Sequence, residues 1–372
     1  MPGTEENGLY NHLCRFDNLL LAWKKAGRGK RSNPAVAAFE FGLEENLLTL
    51  QEELEAKTYR PGAYHSFYIH DPKRRLISAA PFRDRVVHHA LCNLIEPLFE
   101  RSFVFDSYAN RVGKGNHRAL DRAQLFARRH RFVLPLDLQK YFPSIDHAIL
   151  RRTIARKVKD RDVMWLVGRV LESGRGVLDD EYDMAWFPGD DLLAAGRPRG
   201  LPIGNLTSQF WANCYLSGFD HFVKRELRCP GYVRYVDDML FFADDKKSLW
   251  ELKGRVIERL AGLRLTAHEG RCQVLPVTEG IPFLGFRLFP HRRRLKARKA
   301  VAFARRHRER LRAYAAGAME FEEVSAGVQG WVAHAAHGDT GGLRRSLLSG
   351  TVLTRGEGVR RGSPDADLFQ NL

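Results

Sequence analysis

The chain has 372 residues, 60 Lys and Arg against 44 Asp and Glu, and a formal charge of +16. That length supports a large core with two or three subdomains, and the positive excess favours polyanions, nucleic acid ahead of an anionic membrane. No apolar stretch approaches the roughly 20 residues needed to cross a bilayer, the polar start MPGTEENGLY is no secretory signal, and five cysteines without a CxxC pair argue against a zinc site or disulfide framework and fit a reducing cytoplasm.

Residues 10–58 read as helical. FDNLLLAWKKA carries an apolar stripe with a basic end, and FEFGLEENLLTLQEELEAK spaces leucines at i, i+3 and i+4 with acids between. AGRGKRSNP between them is a basic loop. HSFYIHDPKRRLISAAPF alternates as a hairpin with Pro72 marking its turn. DRVVHHALCNLIEPLFERSF predicts an amphipathic helix, NHRALDRAQLFARRHR a shorter basic one, and FVLPLDLQKYFPSI a strand running into a turn. HAILRRTIARKV and DVMWLVGRVLES are helices, 173–200 is loop-like, and LTSQFWANCYLSGFDHFVKREL is a helix. YVRYVDDMLFFA is a strand pair, SLWELKGRVIERLAGL a helix, and GIPFLGFRLFP a further hairpin. Residues 291–350 are mostly helical and very basic, and 351–372 read as a disordered tail. Strands separated by long helices make the class α+β.

The chemistry turns on carboxylates. Asp-Asp pairs stand at 179/180, 190/191, 237/238 and 244/245. The first two lie in polar, Gly-rich surroundings and the last precedes Lys246 and Lys247, so each reads as a solvated turn. Asp237 and Asp238 differ, because valine, tyrosine and phenylalanine flank them. Asp is depleted in strands, and an unpaired carboxylate taken out of water costs several kcal/mol. A hairpin tip aiming both side chains at a metal accounts for them. Oxygen-only ligands point to a hard cation, Mg²⁺ above all. Asp137, ending the apolar strand of FVLPLDLQKYFPSIDH, offers a third carboxylate, its plain alternative being a cap or turn. Three carboxylates from two strands suit a pair of metals in phosphoryl transfer, here on a nucleic acid.

YVDD following DLQKYFPSI resembles the palm of a reverse transcriptase, and the family's other blocks stand in the same order. KRRLISAAPFRDRVVHHAL resembles the fingers block, GLPIGNLTSQ the nucleotide-side block and GIPFLGFRL the primer-grip block. The resemblance implies a right-hand polymerase fold with fingers, an antiparallel palm sheet backed by helices, and a helical thumb. Residues 1–60 would form an N-terminal helical extension, 61–135 the fingers, 136–290 the palm with an insertion near 173–200, and 291–350 the basic thumb. It implies an RNA-directed DNA polymerase that uses two Mg²⁺ ions, with Mn²⁺ as a substitute. Asp137, Asp237, Asp238 and the backbone carbonyl of Leu138 would hold them. Lys140 and Tyr141 would offer backbone N–H groups to the triphosphate of an incoming dNTP. Phe142 would be the steric gate that leaves no room for a 2′-OH, or else plain core packing. Arg75 matches the fingers arginine on phosphate, with Lys73 beside it, and a guanidinium can hold phosphate oxygens in two places. Each is otherwise a solvated surface charge. Ile203, Gly204 and Gln209 belong to the nucleotide side, and Phe283, Leu284 and Gly285 to the primer grip. Arg271 stands where the family often has a lysine that protonates pyrophosphate, a task an arginine fills poorly.

Most members carry Gln-Gly in the nucleotide-side block and end it in Ser-Pro. Ile203-Gly204-Asn205-Leu206-Thr207-Ser208-Gln209 resembles instead the bacterial diversity-generating retroelement enzymes, as do NRVGKGNH and KYFPSIDH. That resemblance implies a template-repeat RNA copied with errors mainly opposite adenine, a small oligomeric accessory protein, and a bacterial cytoplasmic setting. Ile203 lacks the hydrogen bond that Gln offers, and sites built on hydrogen bonds reject misfits best. From Arg292 to Arg312, eleven residues are Lys or Arg and only Glu309 is acidic, a run suited to an RNA–DNA hybrid. The basic loop Lys24–Arg31 suits structured RNA, or simply solubility. With no endonuclease or RNase H-sized extension after the thumb, nicking and template removal are expected from elsewhere. Three other readings stand: an antiphage-defence or retron-type reverse transcriptase with a dedicated noncoding RNA, a non-catalytic RNA-binding protein, and an RNA polymerase, which Phe142 disfavours.

Overall fold

A computed structural model describes residues 8–70, 74–350 and 353. The turn at Pro72, the phosphate role of Lys73 and, Leu353 apart, the tail 351–372 lie outside the described residues.

Four helices open the described residues: α1 (Leu9–Cys14), α2 (Phe16–Gly27), α3 (Pro34–Phe41) and α4 (Leu43–Glu55). Asn33 accepts a hydrogen bond from the Ala35 N–H with Pro34 at the first helical position, which starts α3 firmly. Leu47, Leu50 and Leu54 line the buried stripe of α4. β1 (His65–Ile69) and β2 (Arg75–Ala79) form the expected antiparallel hairpin, and α5 (Phe82–Glu100) and α6 (Asn116–Arg129) follow.

The central sheet is antiparallel. It comprises β3 (Phe132–Asp137), β4 (Gly231–Tyr235), β5 (Asp238–Ala243) and β6 (Leu275–Pro276) in the order β4-β5-β3-β6. Between β3 and β4 run α7 (Tyr141–Ser144), α8 (His147–Ala155), α9 (Arg161–Ser173) and α10 (Leu206–His221), and α11 (Lys246–Ala261) follows β5. Strand alternation sorts the faces. Leu134, Leu136, Met239 and Phe241 enter one core with α8, α10 and α11, whereas Val133, Leu240 and Phe242 enter a second core with α6. By the same alternation Asp137 and Asp238 belong to the second face, away from α8 and α11.

A three-stranded sheet of β7 (Ile281–Phe283), β8 (Phe286–Leu288) and β9 (Arg293–Leu295) closes the second core. The helices α12 (Ala297–Ala315), α13 (Phe321–Ala335) and α14 (Gly341–Leu348) complete the described chain.

Three expectations change. The basic run expected to be helical begins with a strand, β9, because Arg293 finds fixed partners: its backbone N–H donates to Asp339 (3.0 Å) and its guanidinium to Asp121 (2.6 Å) and Gln124 (2.8 Å). The helix expected over 206–227 is α-helical only to His221 and then widens into a π-turn over 222–226. Asp190 is no solvated turn residue. Its side chain is 2% exposed and pairs with Arg197 and Arg264, each at 3.0 Å. The same two arginines hold Asp146, at 3.5 and 2.9 Å. Two carboxylates and two guanidiniums thus close a ring of alternating charge that ties the 173–200 segment to α8, where Asp146 is the cap, and to the loop after α11. Asp179 and Asp180 are exposed as expected, and Asp245 caps α11 through Ser248.

Candidate active site

The β3–β5 register sets Asp137 directly opposite Asp238. Side chains so opposed stand about 5 Å apart at Cβ, and two like charges there repel. Asp237 lies beside Asp238 in the turn from β4. That turn is strained: Val236, a β-branched residue, has φ of 57°, a conformation that costs about 1–3 kcal/mol.

What holds the turn lies beneath it. Arg234 Nη1 donates to the Val236 carbonyl and to Asn213 Oδ1, both at 3.1 Å. Its Nε and Nη2 donate to the two carboxylate oxygens of Asp220, each at 2.7 Å. Tyr232 also donates to Asp220, at 2.7 Å. Burial works against the Arg234 charge, but Asp220 more than restores it, and the guanidinium pKa stands above its ordinary value. Sequence reasoning missed this support. Its signal was an arginine inside an apolar strand two residues before the bend.

The other expected residues fall around this pair. Leu138 is buried and bridges to Ala267, while the His268 N–H donates to the Asp137 carbonyl at 2.9 Å. Lys140, at φ of 42°, turns the chain into α7, and its ammonium meets Asp183 at 2.8 Å. Tyr141 is buried, its hydroxyl donating to the Ala212 carbonyl at 2.6 Å. Phe142 is half-buried, and its carbonyl accepts from the Leu201 N–H at 3.0 Å. The arm bearing Leu201 continues into Ile203 and Gly204, which are stitched to β2. The Ser78 N–H donates to the Ile203 carbonyl at 2.8 Å, and the Asn205 amide bonds Ala80 and Ser78 at 3.1 and 2.8 Å. Gly204 has φ of +118°, and a Cβ there would sit 3.1 Å from Ile77, so glycine suits this close approach. Arg75, on β2, and Gln209, on the first turn of α10, are both exposed. Arg271 reaches within 3.9 Å of Asp137, loosely and largely in solvent.

Leu284 and Gly285 bend β7 into β8 with φ of 45° and 90°, and Phe283 before them is buried. Two consecutive positive φ values fit a tight hairpin turn. The Gly285 carbonyl accepts from the Lys296 N–H at 3.1 Å. Burial pushes the Lys296 ammonium pKa down while the Asp238 carboxylate pulls against it. Sequence reasoning did not foresee that a lysine at the start of α12 would feel Asp238.

Among the described residues, no group of three His, Cys, Asp or Glu side chains stands converged on a metal position. The fit to a cation rests on the opposed Asp137 and Asp238, with Asp237 adjacent. Donors that are oxygen alone suit a hard divalent ion such as Mg²⁺, and a cation between them offsets the repulsion that the register builds in.

A sequence profile described as reverse transcriptase (RNA-dependent DNA polymerase) matches residues 69–288. The chain belongs to that family, the RNA-directed DNA polymerases. Its fold is accordingly the right-hand polymerase fold, with the central antiparallel sheet as palm. Curated relatives include protein YkfC of Escherichia coli (strain K12), 24% identical over 300 residues that cover 70% of this chain and 75% of YkfC. Group II intron-encoded protein LtrA of Lactococcus lactis subsp. cremoris is 25% identical over 222 residues, 58% of this chain and 35% of LtrA. Apo telomerase from Candida tropicalis superposes with a TM-score of 0.47 at 9% identity, over 64% of this chain and 49% of that one. The chain therefore spans about a third of LtrA's length and about half of that telomerase chain. No helix of the described residues is long and apolar enough to cross a membrane.

Proposed function

We propose that this chain copies a structured template RNA into cDNA by two-metal nucleotidyl transfer, with low fidelity opposite adenine, as the reverse transcriptase of a diversity-generating retroelement. The observation that carries the chemistry is the cross-strand opposition of Asp137 and Asp238. In this reading Asp137, Asp237, Asp238 and the Leu138 carbonyl hold two Mg²⁺ ions, for which Mn²⁺ substitutes. When bound, such ions stabilise the charge that develops on the attacking and leaving oxygens. Arg75 and Lys73 grip the phosphates of the dNTP, the backbone of Lys140 and Tyr141 receives the triphosphate, and Phe142 excludes a 2′-OH. Ile203, Gly204 and Gln209 line the nucleotide side. Phe283, Leu284 and Gly285 guide the primer end of the RNA–DNA hybrid. Arg271, beside Asp137, adds positive charge without an easily released proton.

The charge of +16 supports a large RNA partner, as do relatives named group II intron-encoded protein and intron maturase. The Ile-Gly-Asn-Leu-Thr-Ser-Gln block supports the retroelement subtype, and with it a small oligomeric accessory protein and a bacterial cytoplasmic setting. The same residues serve a retron-type or antiphage-defence enzyme with a dedicated noncoding RNA, so the error spectrum is what separates the two.

The test is oligo(dT) extension on poly(rA) with Mg²⁺, followed by sequencing of cDNA made on a heteropolymeric RNA. Wild type extends and errs mainly at adenines, Asp237→Ala does not extend, and Ile203→Gln extends with fewer adenine errors. Extension by Asp237→Ala contradicts the mechanism. An error spectrum that Ile203→Gln leaves unchanged contradicts the role given to Ile203.

A further inference from the structure

Helices α8 and α11 pack on the face of the palm sheet opposite Asp137 and Asp238. Two adjoining cavities lie between them, about 780 and 560 Å³ in volume, sharing Ile149, Arg152 and Gly262. Arginines rim this groove. Arg152 and Arg156 stand one helical turn apart at the end of α8, and Arg255 and Arg259 one turn apart on α11, all four lining the second cavity and exposed. Arg151 extends the row into the first cavity. None of these five makes a salt bridge among the described residues, whereas Arg264 nearby is already held by Asp146 and Asp190. The lining holds two acids, Asp146, neutralised in that ring, and Glu258.

Phe222 adds an aromatic face to the groove. Arg255 and Arg259 lie over the Phe222 ring at 5.8 and 5.2 Å from its centroid, at the π-turn that ends α10. Both lie within cation–π range of the ring, which favours their positive charge at the groove. Two tracks of unpaired guanidiniums across a groove repel one another, and a chain of phosphates relieves that repulsion.

We propose that this back face of the palm is a second RNA-binding surface, which takes the phosphate backbone of a double-stranded part of the template RNA outside the catalytic cleft. It rests on the reading of the chain as an RNA-copying enzyme, which supplies RNA as the occupant and puts the copied hybrid at the carboxylate pair. The copied hybrid occupies the carboxylate face, so a duplex held on the opposite face keeps the template RNA attached while the copied strand moves. Recognition here is by shape and backbone, without sequence readout.

The test fills the cleft of the full chain with an unlabelled RNA–DNA primer-template and titrates in a fluorescein-labelled RNA hairpin. Wild type binds one further hairpin, and its affinity falls steeply with salt. Arg152→Gln with Arg255→Gln weakens that binding by about tenfold and flattens the slope of log K against log salt by about 2, one unit for each phosphate no longer neutralised. Extension on poly(rA)/oligo(dT), read on the same preparations, stays unchanged. As a check that needs no substitution, a 4-thiouridine hairpin photo-crosslinks to peptides bearing α8 and α11. Unchanged affinity and slope in the double variant, or crosslinks confined to the thumb, overturn the proposal and leave the groove to an acidic protein. Should wild type bind the second hairpin yet never extend a primer, the polymerase reading fails and the surface stands.

Discussion

Arg234 and Asp220 meet side on, two guanidinium nitrogens to two carboxylate oxygens at 2.7 Å each, with neither side chain exposed. The remaining guanidinium nitrogen reaches the carbonyl of Val236, the strained residue of the turn between β4 and β5. A charge pair in the core therefore keeps the bend before Asp237 in place. Removing one partner of a buried pair leaves the other unpaired and costs about 3–5 kcal/mol. Asp220→Asn should lower the urea midpoint followed by tryptophan fluorescence and abolish primer extension. Replacing both partners, Arg234→Met with Asp220→Leu, should recover much of the stability but not the activity, because the Val236 carbonyl still lacks its donor. A midpoint unmoved by Asp220→Asn speaks against this account.

Asp137→Asn should separate stability from activity. It removes a like-charge pair across the ladder, so the fold in EDTA should gain up to about 1 kcal/mol. In the proposed role Asp137 is a charged ligand for a divalent ion, and its loss forfeits several kcal/mol of transition-state stabilisation, a drop in extension rate of about 10³-fold. Thermal melts and single-turnover extension on one preparation check both halves, and a destabilised variant that still extends contradicts them.

The strands that carry this candidate site were legible in the sequence, and for identifiable reasons. FVLPLD and YVRYVDDMLFFA alternate so regularly that a strand pair was the natural reading, and the apolar flanks of Asp237 and Asp238 singled that pair out. The partners of charged groups were not legible. Asp190 looked solvated because its neighbours in sequence are polar, yet Arg264, which pairs with it, comes from just beyond the far end of α11. Asp220 met Arg234 for the same kind of reason, a helix residue facing a strand residue across the core. β9 hid in a basic run because Arg-Arg-Leu is too short for any period to show, and its arginine is held by Asp121 and Gln124 on α6. Local pattern encodes which face of an element is apolar, whereas charge pairing is decided by what the fold brings alongside.

Acid should weaken the fold through His88. It is buried in α5, and neither ring nitrogen finds a partner among the described residues. Burial, with the nearby His89 and Arg85 charges, holds its pKa down to about 3. An unfolded histidine titrates near 6.5. Below that pH the unfolded chain takes a proton that the folded chain refuses. Stability is therefore complete above about pH 6.5 and falls toward pH 3, by about 1.4 kcal/mol per pH unit for this one group. Urea midpoints from pH 7 to 4 should fall less steeply for His88→Leu than for wild type. His89, held down to about 4, keeps part of the remaining slope. Equal slopes in the two proteins contradict the assignment.

Phe142 is half-buried, its backbone tied to Leu201 two residues before Ile203. If its ring guards the sugar, Phe142→Ala should narrow the preference for dNTP over rNTP by about 10- to 100-fold, because a packed wall rejects an added hydroxyl only that strongly. Competition between dTTP and UTP on poly(rA) reads the ratio directly. A preference that survives truncation returns Phe142 to the core.

Counting bound manganese bears most directly on the carboxylate pair at the centre of this account. With Mn²⁺ followed by electron paramagnetic resonance, wild type holding a primer-template and a non-hydrolysable dNTP should bind two ions, and Asp137→Asn should bind at most one, weakly. Two ions bound equally well by the Asn variant would show that residue 137 holds no metal, and the reading of the β3–β5 register as a metal-binding polymerase centre would be wrong.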